Sequence, residues 1–271
     1  MTGTQIPTVW QSVKDQIRGL GIMIGTALIV VAGLKAEDPK PAAPPQKLVK
    51  RLLALHTSDA AEYAIYRDSG HTEKLELRRE SIYNWTNVLR GGGQSGDVFV
   101  WLYRGRPEAV GSIFSYPGEK ASGQRTILHE LHTLSPQILQ PVRGGANRWQ
   151  PKAGIVLKPI SDAPSSAESP RLRLVQMREL ARGFSAQSID YDHKTWELRM
   201  LPQPLYRYDS TDPMVIDGAL FAYVTSAGTD PEVILLLDAR QTDGGPKWHY
   251  AICRFSDHDL HVKLKGTEIW T

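Results

Sequence analysis

A series of short segments occurs twice in this 271-residue chain, in the same order and at nearly constant spacing. The segments are residues 75–78, 82–85, 96–101 and 107–110 in the first copy, and residues 196–199, 205–208, 218–223 and 231–234 in the second. Matching segments lie between 121 and 124 residues apart. So little drift predicts two copies of one supersecondary unit, and hence an internal duplication.

Each copy opens with a helical pattern. Leu48, Leu52 and Leu55 belong to one apolar stripe in the first copy, with basic residues between them. In the second copy, Ser169 followed by Pro170 is a typical helix start, and Gly183 is a plausible end.

Alternating segments follow each helix and predict antiparallel strands. Turn residues join strands 97–103 and 108–116 in the first copy and strands 219–225 and 232–240 in the second, as expected for hairpins. No strand is followed by a long helix that returns to a parallel neighbour. The expected fold class is therefore α+β, with two helix-plus-meander units (residues 47–161 and 162–271) in one pseudo-twofold body. Whether they form one continuous sheet or two packed sheets stays open.

The N-terminal segment is the second strong signal. Residues 19–34 carry no charge, follow Lys14 and Arg18, and precede a Pro-rich linker at residues 37–46. Residues 1–36 are expected to be a signal peptide or an N-terminal membrane anchor, with a buried core helix as a third interpretation. The body is then exported, either periplasmic or secreted, or anchored to the inner membrane by residues 19–34.

The net charge and the single cysteine exclude some classes of function. Of the formal charge of +3, residues 1–36 contribute +2, so the body is nearly neutral and nucleic acid is not an expected partner. Cys253 is the only cysteine, so no intramolecular disulfide forms. Its alternating apolar surroundings indicate a buried structural thiol.

A glycine-rich loop occurs in one copy only. Residues 90–94 (RGGGQ) combine three glycines with Arg90 and Gln94. Their backbone amides suit an anion, although the loop lacks the Gly-Lys-Ser/Thr ending of a nucleotide-binding P-loop. A flexible connection is the alternative.

Tryptophans are the second group of candidates. Two interpretations are open for these side chains, a stacking platform for a sugar or peptide and part of the core, and the candidates are Trp85, Trp101, Trp149, Trp248 and Tyr83. His249 follows Trp248 directly and joins this group as a candidate.

Histidines are the third group. His129 and His132 flank Glu130 in a predicted strand, where side chains three residues apart point to opposite faces. That spacing disfavours a zinc site, and we expect neither a metal nor a cofactor. His258 and His261, beside Asp257 and Asp259, form a weaker candidate cluster. The preferred candidate ligand-binding residues are Trp85, Arg90, Gln94, Trp101, His129, His132, Trp248 and His249.

Several runs in the body carry a resemblance to a known group of proteins. They are residues 83–87, 90–94, 98–101, 105–114, 201–208, 217–221 and 248–250. With these runs, residues 47–271 resemble a family of uncharacterised exported proteins of planctomycete-type bacteria. The resemblance implies export from a bacterial cell and no particular active site.

These observations favour a non-enzymatic module that binds a ligand or an envelope protein at the cell envelope. An uncleaved N-terminal segment would also bind it to the membrane. One alternative is a hydrolase-like enzyme with His129, His132 or His249 acting with Glu130 or Asp238 in a cleft between the repeats. Another is a structural envelope component.

Overall fold

The computed structural model describes residues 46–87, 93–118, 124–144, 149, 151, 154–226 and 228–271. The expected signal peptide or anchor, residues 1–36, and the candidate Arg90 lie outside the described residues. Neither helix in the described part of the chain is long and apolar enough to cross a membrane.

Two helices and sixteen strands make up the described residues. In chain order they are α1 (Gln46–Ala61), β1 (Tyr63–Tyr66), β2 (Glu76–Leu77), β3 (Tyr83–Asn87), β4 (Gln94–Tyr103), β5 (Arg106–Pro117), β6 (Arg125–Thr133), β7 (Gln140–Arg143), β8 (Lys158–Pro159), α2 (Pro170–Arg182), β9 (Phe184–Ile189), β10 (Thr195–Met200), β11 (Tyr206–Tyr208), β12 (Val215–Val224), β13 (Pro231–Arg240), β14 (Lys247–Arg254), β15 (Asp259–Leu264) and β16 (Thr267–Trp270).

Both predicted helices are present. Ser169 caps α2, since its side chain accepts a hydrogen bond from the Leu172 N–H, and Gly183 ends it. The apolar stripe of α1 buries Leu52 and Ala60, together with His56.

The strands form three antiparallel sheets. β1 pairs with β7. A smaller sheet has the order β2-β4-β5-β6, with β3 also on β4. A larger sheet has the order β16-β15-β9-β10-β12-β13-β14-β8, with β11 also on β12. The α+β class and the antiparallel pairing are thus confirmed.

The smaller and larger sheets pack face to face through one shared apolar cluster. Val98 and Val100 of β4 belong to this cluster with Leu220 and Ala222 of β12. Because successive side chains of a strand point to opposite faces, the residues between them point away from the shared core. The sequence left open whether the two units share one continuous sheet, and in the structure the smaller and larger sheets are separate and packed against each other.

A helix covers the outer face of each sheet. Phe99 and Trp101 pack in a cluster with Ala60 of α1. Phe221 packs in another cluster with Met177 of α2. The layers are therefore helix, sheet, sheet and helix.

Some predicted strands are divided in the structure. Residues 195–208 form β10 and β11, separated at Pro202 and Pro204, since proline lacks the N–H that a ladder needs. Residues 259–270 form β15 and β16, because Lys265 and Gly266 adopt positive φ and make a tight turn.

Candidate functional site

A pocket of about 580 Å³ opens at the edges of the two packed sheets. Its described lining residues are Leu131, His132 and Thr133 of β6, Trp149, Pro151, Gly154, Ile155, Val156 and Lys158 of the connection to α2, Tyr250, Ile252, Cys253 and Arg254 of β14, and Ile269 and Trp270 of β16. Most of these side chains are apolar, and the volume is typical of small-molecule sites.

The strand order explains why a pocket forms here. β6 is the last strand of the smaller sheet, and β8 pairs with β14 only at His249 and Tyr250. Both sheets therefore present strand edges at this place. The edges approach each other at Phe255, whose ring centre lies 5.2 Å from that of His132, and the pocket lies beside this contact.

His132 contributes an oriented imidazole to the pocket. Its Nε2 lies 2.8 Å from Oε1 of Glu130, two residues earlier on the same face of β6. Both side chains are about a quarter exposed. The carboxylate fixes the ring orientation and leaves Nδ1 for another contact.

Arg254 contributes a fixed positive charge. Its Nη1 donates to the carbonyl oxygens of Ser256, at 3.1 Å, and His258, at 2.6 Å. Its guanidinium carbon lies 5.9 Å from the ring centre of Trp270. Two backbone acceptors and an aromatic neighbour thus hold this side chain at the wall of the pocket.

Cys253 also lines the pocket, but its chemistry is suppressed. Burial raises the pKa of its thiol far above the ordinary value, and the charge of Glu130 raises it further. The thiol therefore stays protonated and does not act as a nucleophile near neutral pH.

Three of the four candidate tryptophans are buried in separate places. Trp85 is buried in the core between the sheets, and its Nε1 donates to Ser112 Oγ at 2.9 Å. Trp101 lies under α1 and Trp248 under α2, each 1% exposed. They are core residues, so they do not form a shared platform.

The other candidates are also dispersed. His129 points to the face opposite His132, where its Nδ1 lies 2.8 Å from Tyr63 Oη and its Nε2 lies 3.1 Å from Asp59. Burial lowers the pKa of His129, and the charge of Arg143 lowers it further.

Gln94 opens β4 and is half-buried. His249 lies opposite Asp238 in the strand pair, and its Nδ1 is buried without a hydrogen-bond partner in the described residues. Of the predicted site residues that the structure describes, only His132 and Trp149 line the pocket. Glu130, named in the hydrolase hypothesis, is hydrogen-bonded to His132.

A buried polar network between the sheets was not predicted from the sequence. Arg106 Nε lies 3.2 Å from Asp238 Oδ2, and Arg106 Nη1 lies 2.8 Å from Glu108 Oε1. The Tyr208 hydroxyl donates to the same Asp238. Burial raises the pKa of Tyr208 well above its ordinary value, and the Asp238 charge adds to this, so the phenol remains a donor. This network joins β5 to β13 and is a structural link between the sheets.

A second buried pair fastens α1 to the smaller sheet. His56 Nδ1 lies 2.6 Å from Asp97 Oδ2, and Asn84 also donates to this carboxylate. His56 is fully buried and Asp97 is 5% exposed. Their burial leaves no room for a substrate, so the pair serves to position the helix.

Comparison with known proteins and a search for metal-binding groups assign no chemistry to the pocket. No family model, curated protein or solved structure matches this chain. No group of three His, Cys, Asp or Glu residues within the described ranges could hold a metal ion.

Proposed function

We propose that this chain is an exported or membrane-tethered bacterial protein that binds a small ligand at the cell envelope, in the pocket between the sheet edges. The observation that carries the proposal is the pocket of about 580 Å³ with mostly apolar walls. A few polar groups, among them His132 and Arg254, lie at these walls. Apolar walls with few fixed polar groups are typical of ligand sites.

The chemistry of the lining residues favours binding over catalysis. The Cys253 thiol is held protonated by burial and by the Glu130 charge, which raise its pKa. His249 and Asp238 do not line the pocket, and Asp238 is engaged by Arg106.

Export is proposed from residues 19–34 and from the resemblance to exported planctomycete-type proteins. Cell fractionation with externally added protease tests it. The body is expected in the medium or the periplasmic fraction, or, if it is anchored, to be cleaved by the protease in intact spheroplasts. Recovery in the cytoplasmic fraction, with protection until lysis, would contradict export.

A screen of small molecules by thermal unfolding tests the binding proposal. Ligands are expected to raise the Tm of the wild-type chain and to lose most of that effect in Trp270→Ala. The matched control is Trp196→Ala, since Trp196 lies on β10 and its Nε1 bonds to Asp190. If ligands stabilise wild type and Trp270→Ala equally, the pocket is not their site.

One observation favours a hydrolase as the second candidate. His132 and Glu130 are within 2.8 Å of each other, and His132 lines the pocket. A panel of chromogenic esters tests it, with His132→Gln and Glu130→Gln as variants. Binding without catalysis predicts no turnover above background, and turnover lost in both variants would replace the binding proposal with the enzymatic one.

The internal duplication is part of the proposal, and the pattern of strand pairing supports it. In the first half β1 pairs with β7, β2 and β3 pair with β4, and β5 pairs with both β4 and β6. In the second half β9 pairs with β15, β10 and β11 pair with β12, and β13 pairs with both β12 and β14. The same helix-first order precedes both sets.

Reciprocal contacts support a twofold relation between the halves. The Thr229 N–H, before β13, donates to the Thr86 carbonyl of β3 at 3.1 Å. At the matching place, the Thr211 N–H, after β11, donates to the Arg104 carbonyl in the turn before β5 at 2.9 Å. The turn before β13 thus meets the end of β3, and the turn before β5 meets the segment after β11, although the donor and the acceptor are reversed between the two places. Matching segments that meet in both directions are expected at a twofold interface. In an experimental structure, a rotation of about half a turn should superpose residues 46–143 on residues 170–264. A very different rotation would contradict the twofold relation.

A further inference from the structure

The pocket is lined by basic but not by acidic side chains. Lys158 and Arg254 line it, and neither takes part in an ion pair among the described residues. No Asp or Glu is found among the described residues of its wall. An anion that entered would meet positive charge that no carboxylate there neutralises.

Arg254 is oriented before any ligand arrives. The two carbonyl oxygens that accept from its Nη1 leave Nε and Nη2 without an acceptor in the described part of the chain. The edge formed by Nε and Nη2 matches the two oxygens of a carboxylate. Because the side chain is already held, binding costs less conformational entropy.

Glu130 is the acidic group that opposes this arrangement. Its charge acts on Cys253, which lines the pocket. However, its carboxylate is already hydrogen-bonded to His132 at 2.8 Å. It does not occupy the guanidinium of Arg254.

Apolar surface lies next to the guanidinium. The Trp270 ring is 5.9 Å from Arg254, and Trp149, Tyr250 and Ile252 also line the pocket. Aromatic faces of this kind take the flat or apolar part of a ligand.

We propose that the pocket binds a small carboxylate with an apolar body, with the carboxylate on Arg254 and the apolar part against the tryptophans. This inference rests on the proposed ligand-binding function. Two sources share this chemistry, an aromatic acid and a medium-chain fatty acid.

Calorimetric titration of the purified full-length chain tests the inference. The probes are 2-naphthoate, the nearly isosteric neutral 2-naphthamide, and decanoate. We expect 2-naphthoate to bind on the order of ten- to a hundredfold more tightly than 2-naphthamide, as for a hydrogen bond to a charged group. Comparison with decanoate distinguishes the two sources of the carboxylate.

Variants identify the groups responsible. Arg254→Gln is expected to remove most of the preference for 2-naphthoate, and Lys158→Gln to weaken it severalfold. Lys158 is exposed and has no ion-pair partner within the described ranges, so its replacement keeps the test valid if Arg254→Gln fails to fold. The matched control is Lys50→Gln on the exposed face of α1, which should leave the preference unchanged.

The outcomes separate this inference from the proposed function. If 2-naphthoate and 2-naphthamide bind equally, or if the preference survives both pocket variants, the anion inference is overturned while the pocket remains a binding site. If no probe binds and the small-molecule screen yields no ligand that depends on Trp270, the proposed function fails as well.

Discussion

Replacing Asp238 by Asn is expected to destabilise the whole fold. Asp238 is fully buried and accepts hydrogen bonds from Arg106, at 3.2 Å, from Arg240, at 3.3 Å, and from the Tyr208 hydroxyl. Asn has nearly the same shape, so the substitution removes the charge without creating a cavity. It leaves the 5%-exposed Arg106 with Glu108 as its remaining carboxylate.

The expected loss follows from this geometry. Removing one partner of a buried ion pair costs about 3–5 kcal/mol, because the other charge stays buried and uncompensated. Since Glu108 still lies 2.8 Å from Arg106, we expect the low end, about 3 kcal/mol. Removing both charges in Arg106→Met/Asp238→Asn should cost less than the sum of the single substitutions, with a coupling of about 1–3 kcal/mol.

Urea unfolding followed by far-UV circular dichroism measures these free energies. The matched control is Asp162→Asn, because the Asp162 side chain is 80% exposed and its pair with Lys265 lies at the surface. This control should stay within about 0.5 kcal/mol of wild type. If Asp238→Asn lowers the free energy of unfolding by less than about 1 kcal/mol, which is below the range for a buried ion pair, the network does not link the sheets as argued.

Three further predictions concern packing, pH and thiol reactivity. Gly218→Ala should cost about 1–3 kcal/mol in the same urea assay, because its Cβ would lie 2.3 Å from Cζ of Tyr208. The free energy of unfolding should fall as the pH drops from about 7 to 5. Burial, and then the charge of Arg143, lower the pKa of His129 in the folded chain, so the unfolded chain protonates this histidine at a higher pH than the folded chain does. In His129→Gln the fall should be shallower. Cys253 should resist 5,5′-dithiobis(2-nitrobenzoate) at pH 8 until urea unfolds the chain, because burial and the Glu130 charge raise the pKa of its thiol.

Each of these predictions has its own control. Gly244→Ala should be nearly neutral, since the nearest atom to its Cβ would be 3.6 Å away, and equal losses at both glycines would contradict the packing argument. His193→Asn, at an exposed turn with φ of 59°, should keep the wild-type pH dependence, whereas an unchanged slope in His129→Gln would rule out that histidine. The chain has one cysteine, so one equivalent of thiol should appear on unfolding, and rapid labelling of the folded chain would contradict its burial.

Local signals in the sequence were sufficient for both helices and the central hairpins but not for the packing of these elements. The Ser169 cap, the hairpin turns and the prolines at 202 and 204 act through neighbouring backbone groups, so they could be recognised directly. Whether the strands form one sheet or two depends on which faces meet across the chain. Alternation along β4 is compatible with either arrangement, because both of its faces are buried.

The candidate site was harder to predict because separate segments build it. His132 and Trp149 were recognised as candidates, but Ile155 and Val156 of the connection to α2 and Trp270 of β16 reach the pocket from segments that lie far apart in the sequence. One signal for the buried network was available. Asp238 interrupts the apolar run of residues 233–239 in β13, and a charged residue at such a position requires a buried partner.

An experimental structure of the full-length chain with 2-naphthoate is the most direct test of the ligand-binding proposal. We expect the naphthalene in the pocket of about 580 Å³, against Trp270, with its carboxylate within hydrogen-bond distance of Nε or Nη2 of Arg254. A pocket without the ligand, while 2-naphthoate binds elsewhere on the protein, would contradict this account.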